Sequence, residues 1–293
     1  MKEAILIQCH KNPDQVNMLL KALQHPDIDI YVHVDKKSDM QEKLIHDSNI
    51  YYLPDDQRLD VGWGSLAQIQ VPLLLMTYAS QHQEYEHYWS CSGQDFPIKP
   101  LDYIVDYLHS KPDTNFLGLV PSKNRGGSEN NFDKRTAIYY PKWILKNTIP
   151  MRIAKRSLVE ITGGYKHTFA IFKRKPVDNL KFYFNSAWFC ISNEMWKWMQ
   201  IYITGHPELF SFFQHVPCMD ECFFNTMVMN SPYKNKVEDY LHYIDWSEGG
   251  NSPKVLTSGD FNKLKSSDKL MARKFDASVD KDIILALQNL IMK

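Results

Sequence analysis

The chain has 293 residues and a mass of 34.4 kDa, with 44% apolar and 23% charged residues, which excludes a disordered polypeptide. Lysine plus arginine and aspartate plus glutamate balance at 34 each. No global basic field exists to hold nucleic acid, so an anionic ligand must be held by a few placed cations.

The first third alternates strand and helix. Residues 4–9 read as a strand, and 15–23 as a helix with an apolar face at 16, 19, 20 and 23. Residues 30–34 read as a strand ending in Asp35, and 50–52 as a short strand. Residues 65–78 read as a long helix, 88–91 as a strand, and 101–108 as a helix behind Pro100. This alternation predicts an α/β fold with a mostly parallel sheet flanked by helices, binding ligands at the carboxyl ends of its strands. Residues 121–176, rich in glycine, proline, lysine and arginine, read as loops with short helices laid over the sheet. A strand at 187–191, helices at 194–202 and 220–229, and a terminal helix at 281–292 complete the pattern.

The apolar runs at 4–7 and 71–76 are too short for a signal-peptide core or a membrane span. The expectation is a cytoplasmic protein. Five cysteines, with Cys218 and Cys222 at helical spacing and no Cys-x-x-Cys clip, are expected to be reduced thiols.

Several residues sit where chemistry is expected. Asp35 ends a parallel strand and faces the ligand crevice, either accepting bonds from a base or ribose or capping its own loop. His33 alternates with apolar residues and reads as a satisfied histidine. In Ser90-Cys91-Ser92-Gly93-Gln94-Asp95 a strand enters a small-residue turn. Gly93 would let a ligand approach the backbone, and Asp95 either grips a ligand hydroxyl or stabilises the turn. Asp220-Glu221 opens a helix, as dipole-complementing acids or as a general base under a cleft. Arg273-Lys274 lies between apolar residues, as a surface pair or as a diphosphate-binding pair. A divalent cation would want paired carboxylates after a strand. Asp27-Ile28-Asp29 precedes one, Asp55-Asp56 has the wrong spacing, and no metal site is expected.

Taken in order, these segments carry a resemblance. Tyr31-Val32-His33-Val34-Asp35, Trp63-Gly64-Ser65, Ser92-Gly93-Gln94-Asp95-Phe96-Pro97-Ile98, Asn185-Ser186-Ala187-Trp188-Phe189, Asp220-Glu221 and Ala272-Arg273-Lys274-Phe275-Asp276 resemble the core-2/I-branching β-1,6-N-acetylglucosaminyltransferase family. That family includes peptide O-xylosyltransferases. The resemblance implies a GT-A fold and an inverting, metal-independent transfer of a sugar from a UDP-sugar to a saccharide or glycolipid acceptor. N-acetylglucosamine is the first expectation for that sugar. It further implies one domain over 1–293, with a nucleotide-binding half to about 120 and an acceptor-side catalytic half beyond.

Carried over by motif, Glu221 is the catalytic base, with Asp220 beside it in the site. Asp35 holds the uridine, and Asp95 contributes to donor binding. Lys274 with Arg273 binds the diphosphate, Lys254 stands nearest to the family's second diphosphate cation, and Trp188 lines the acceptor site. Lys134, Arg135, Tyr139 and Tyr140 of the middle segment would form an acceptor wall, their rings stacking on sugars, or else the aromatics pack in the core. Without an anchor or disulfides the chain resembles bacterial members that build surface polysaccharide, and a lipid-linked acceptor would bring it to the inner face of the membrane. Two other classes fit the residues: a sugar-nucleotide or carbohydrate-binding protein without turnover, and a metal-dependent GT-A transferase of another family.

Overall fold

A strand buried on both faces needs apolar residues, or polar ones with partners, on both, and the first two strands show it. β1 (Lys2–Cys9) and β2 (Ile28–Val34) are buried nearly throughout. In the computed structural model, which describes residues 1–118, 135–137, 139–142, 148–164, 167–168, 177, 180–249 and 252–292, they pair in parallel from Glu3–Ile28 to Cys9–Val34. β3 (Ile50–Tyr52) joins the far side of β2, and β4 (Tyr85–Ser92) the far side of β1, both parallel. A short β5 (Asp95–Pro97) follows, then β6 (Asn115–Leu117), β7 (Phe189–Ser192), β8 (Val237–Glu238), β9 (His242–Ile244) and β10 (Met271–Arg273).

The main sheet has the order β3-β2-β1-β4-β7-β6-β8, and β7 alone runs against its neighbours. This is the mixed α/β, mostly parallel arrangement expected. Because β7 is reversed, its first residue lies level with the carboxyl end of β4, which brings Trp188 to the ligand edge.

The described helices are α1 (Pro13–Ala22), α2 (Ala67–His82), α3 (Leu101–His109), α4 (Ile149–Ile161), α5 (Asn193–Gly205), α6 (Glu208–Phe213), α7 (Asp220–Asn230), α8 (Phe261–Ser266) and α9 (Asp282–Ile291). One core joins α1, α3 and α9 to one face of the sheet. The other joins α2, α5, α6 and α7 to the opposite face. All five cysteines are free and four are buried.

The two cores lie on opposite faces of the sheet, and neither belongs to one half of the chain. Residues 241–291 return to pack with α1, β1 and β2, so both halves of the chain build both cores and the sheet is the partition. The return is made by a second sheet, β5-β10-β9, in which β10 pairs antiparallel with β5 and parallel with β9. Three-residue strands carry too little periodicity to be read from sequence.

Gly93 has a packing reason for being glycine besides its place in the ligand cleft. A Cβ there would stand 2.8 Å from Val16 Cγ2 and 2.9 Å from Cys9 Cβ. The turn after β4 is pressed against β1 and α1, held by Gly93 N–H donating to the Gln8 carbonyl at 2.9 Å. Gly93→Ala overpacks this contact and should cost about 1–3 kcal/mol. Urea unfolding measures it; an unchanged midpoint would show that the turn can back away.

Candidate active site

The carboxyl ends of β1, β2 and β4 open into a cleft of about 780 Å³, within the size range of small-molecule and cofactor sites. The segments after β1, β2 and β4, the loop at 61–63, Gln68, Trp188 and Arg273 line it.

Asp35 forms one wall. It is buried, and its two carboxylate oxygens accept the Lys37 N–H at 2.9 Å and the Val61 N–H at 3.1 Å. Arg58 clamps this loop by donating to the carbonyls of Val34, Asp35 and Ser38. His33 also reaches the cleft, and its Nε2 accepts the Leu59 N–H at 3.0 Å. Burial pushes its pKa down to about 4, so the imidazole is neutral.

The opposite wall rests on Asp95. Its carboxylate accepts the Ser92 N–H at 2.7 Å and the Ser92 hydroxyl at 3.0 Å, and lies 3.1 Å from Arg273 Nη1 and 3.6 Å from His242 Nε2. Asp95 is 1% exposed and does not line the cleft; it holds Arg273, which does. The other face of that guanidinium lies over the Trp188 ring, 3.9 Å from its centroid, a cation–π contact between two cleft-lining residues. Burial alone would raise the Asp95 pKa. The Arg273 charge, His242 and the Ser92 N–H outweigh it and hold the carboxyl below its ordinary range.

A chain of hydrogen bonds draws further cations to this wall. Buried Gln15 donates to the carbonyls of Gly93 (2.9 Å) and Phe275 (3.2 Å) and accepts the Ala277 N–H. Asp276 accepts from Lys11 at 2.8 Å and from Asn12 at 3.2 Å. These bonds place the loop after β1 beside the segment after β10. Lys274 therefore sits near Lys11 and Arg273, and its pKa is lowered by burial and then by those two charges. Its ammonium donates to Ser252 Oγ at 3.1 Å. The His10 pKa is also lowered, by burial and then chiefly by Lys11.

The acids lie past Gln68. That side chain lines the cleft and donates to Asp220 at 3.2 Å. Burial, with Glu221 next to it, pushes the Asp220 pKa up to about 6. The Glu221 carboxylate lies 3.6 Å from Arg135 Nη1, and Arg135 covers the Phe184 ring. Asn225 donates to the carbonyls of Ser186 (2.9 Å) and Glu221 (3.1 Å), tying the start of α7 to the Trp188 segment.

The fold thus gathers Asp35, Trp188 and Arg273 around the cleft, with Asp95 behind Arg273, Lys274 near the lining residues Lys11 and Arg273, and Asp220, Glu221 and Arg135 joined to it through Gln68. Lys254 does not line the cleft. It makes a two-pronged ion pair with buried Asp260, at 2.8 and 3.0 Å, in a segment that Ser252 and Leu256 tie to Lys274. Tyr139 stacks near His215, and the Tyr140 carbonyl lies 2.9 Å from that ring; Lys134 lies outside the described residues. Lys11 could have been found, since it follows the carboxyl end of β1. Gln68 and His242 carry no signal in the sequence.

Two groups among the described residues have the composition of a metal site: Cys91, Asp95 and His242, and Glu3, Glu86 and His109. In the first, burial raises the Cys91 pKa and Arg273 occupies Asp95, so a second cation meets a protonated thiol and a guanidinium. The second lies at the amino ends of β1 and β4, opposite the cleft.

A family model described as Core-2/I-Branching enzyme matches residues 5–266. Xylosyltransferase oxt of Drosophila melanogaster is 24% identical over 311 aligned residues, covering 94% of this chain and 31% of that protein. Human xylosyltransferase 1 is 23% identical over 301, covering 92% and 28%. The chain spans about a third of the length of the curated relatives it matches. Among solved structures, mouse xyloside xylosyltransferase 1 aligns over 93% of this chain and 97% of its own at 9% identity and a TM-score of 0.39. Likeness that low identifies no function.

Removing the Asp95 charge tests the wall. Asp95→Asn leaves Arg273 buried without its counter-charge and should cost about 3–5 kcal/mol at neutral pH. A carboxyl depressed in the folded state stabilises above its unfolded pKa, and that stability is lost as pH falls through the folded value. The acid-side decline in urea stability should therefore be shallower in the variant. Equal stability of the two proteins at neutral pH would contradict the assignment.

Proposed function

The chain belongs to the Core-2/I-Branching enzyme family of glycosyltransferases, and from that premise we propose that it transfers a sugar from a UDP-sugar to a saccharide hydroxyl, with inversion and without a divalent ion. One observation carries the reading. A single cleft at the strand ends runs from a buried acid, Asp35, past the cations Lys11 and Arg273 toward the Asp220–Glu221 pair.

In this reading Asp35 and its loop take the uridine, and Arg273, Lys274 and Lys11 take the diphosphate. Glu221 receives the acceptor hydroxyl proton as the acceptor oxygen attacks the anomeric carbon from the face opposite the diphosphate. The bond from that carbon to the β-phosphate oxygen breaks, and its electron pair leaves with UDP. The developing charge meets cations already fixed by the fold, so little reorganisation is needed. Arg135, 3.6 Å from Glu221, positions the base.

We place N-acetylglucosamine first as the sugar transferred. Xylose is the second reading, favoured by the names of the relatives.

The assay is UDP release across a panel of UDP-sugars and sugar acceptors. Glu221→Gln should lower turnover by a factor on the order of 10² to 10⁴, the usual worth of a general base, with UDP affinity unchanged. Asp220→Asn should cost less. If Asp220→Asn is instead the more damaging change, the base is Asp220, whose pKa of about 6 also suits that task.

A further inference from the structure

The face of α4 is unlike the rest of the described surface. Of eleven large apolar side chains exposed there, three lie on this one helix: Ile149, Ile153 and Ile161, at 66%, 64% and 83% exposure. Ile149 and Ile153 are one turn apart, and Ile161 lies about 80° further round the helix from Ile153. Among its described side chains only Val159 is fully buried.

Cations flank the isoleucines. Arg152 and Arg156 are both exposed, and Arg156 pairs with Glu160 at 3.2 Å. The sequence from Pro141 to Val177 carries nine lysines and arginines and one acid, Glu160. The remainder of the chain holds twenty-five cations against thirty-three acids. A protein of zero net charge is thus strongly polarised along its sequence.

We propose that α4 docks the protein on an anionic lipid bilayer. The isoleucines would enter the boundary between headgroups and acyl chains, and Arg152 and Arg156 would meet lipid phosphates. The acidic remainder would be repelled from the same surface, which sets the orientation. A second copy of this chain fits the face poorly, because it would bring a second cationic segment against the first. Nothing in this assignment depends on the proposed transfer reaction.

The test is co-sedimentation of the full chain with vesicles. It should bind phosphatidylcholine vesicles containing phosphatidylglycerol, bind neutral phosphatidylcholine weakly, and be released by salt. Changing Ile149 and Ile153 together to serine should cut binding on the order of tenfold or more, since a surface helix holds by its buried apolar area as well as its charge. Arg152→Glu should also weaken it. All three positions are exposed, so melting temperatures should stay unchanged. The proposal fails if the parent remains in the supernatant, or if the isoleucine variant binds like the parent, which would leave only charge adsorption. It fails too if sedimentation velocity shows a dimer that the isoleucine variant abolishes, since a second copy would then cover the face.

Discussion

Arg273 and Asp95 hold each other in the interior, 3.1 Å apart, and neither could be there alone. An unpaired buried guanidinium or carboxylate costs several kcal/mol. Their meeting therefore fixes the register of β10 on β5, where Arg273 stands opposite Asp95. That register decides where the chain goes next. Lys274 comes next to Lys11 and Arg273, and the Phe275 carbonyl and Ala277 N–H reach Gln15 on α1. The late segment of the chain, nearly two hundred residues from β4, is thereby built into the wall that the first strands begin. Asp95 serves the site from behind, through the cation it holds in place.

The same arrangement explains what was legible beforehand. β1, β2, β4, α1, α3 and α9 announce themselves because long buried runs and apolar helix faces are local patterns. Asp35 is legible by position, since the carboxyl end of a parallel strand faces the crevice. The pairing of Lys254 with Asp260 is not legible, because Asp260 is held by a capping turn at Thr257 that composition does not reveal. Gly93 lines the cleft, but its packing against Val16 and Cys9 is a long-range contact that a turn motif does not announce. His242 and Gln68 were invisible for a shared reason: each acts across a long loop, on Asp95 and on Asp220, and single sequences do not encode such pairings.

Charge is divided along the cleft in a way that suits two tasks. The cations gather where the segments after β1 and β10 meet, and burial first, then the charges of Lys11 and Arg273, lower the Lys274 pKa. Such a group is relieved by an anion. The acids stand beyond Gln68, with the Asp220 pKa raised by burial and Glu221 facing Arg135. A ligand with a negative end and a hydroxyl-bearing neighbour would meet the matching group at each end.

Calorimetric titration of UDP, with uridine as the phosphate-free control, tests the cation cluster most directly, run in EDTA on the parent and on Lys274→Ala. The account predicts that UDP binds the parent without a divalent ion and that Lys274→Ala weakens it by about 1.5–3 kcal/mol, the range for hydrogen bonds to charged groups. Uridine should bind both proteins alike. UDP binding that vanishes in EDTA and returns with Mn²⁺, or a uridine loss equal to the UDP loss, would contradict it.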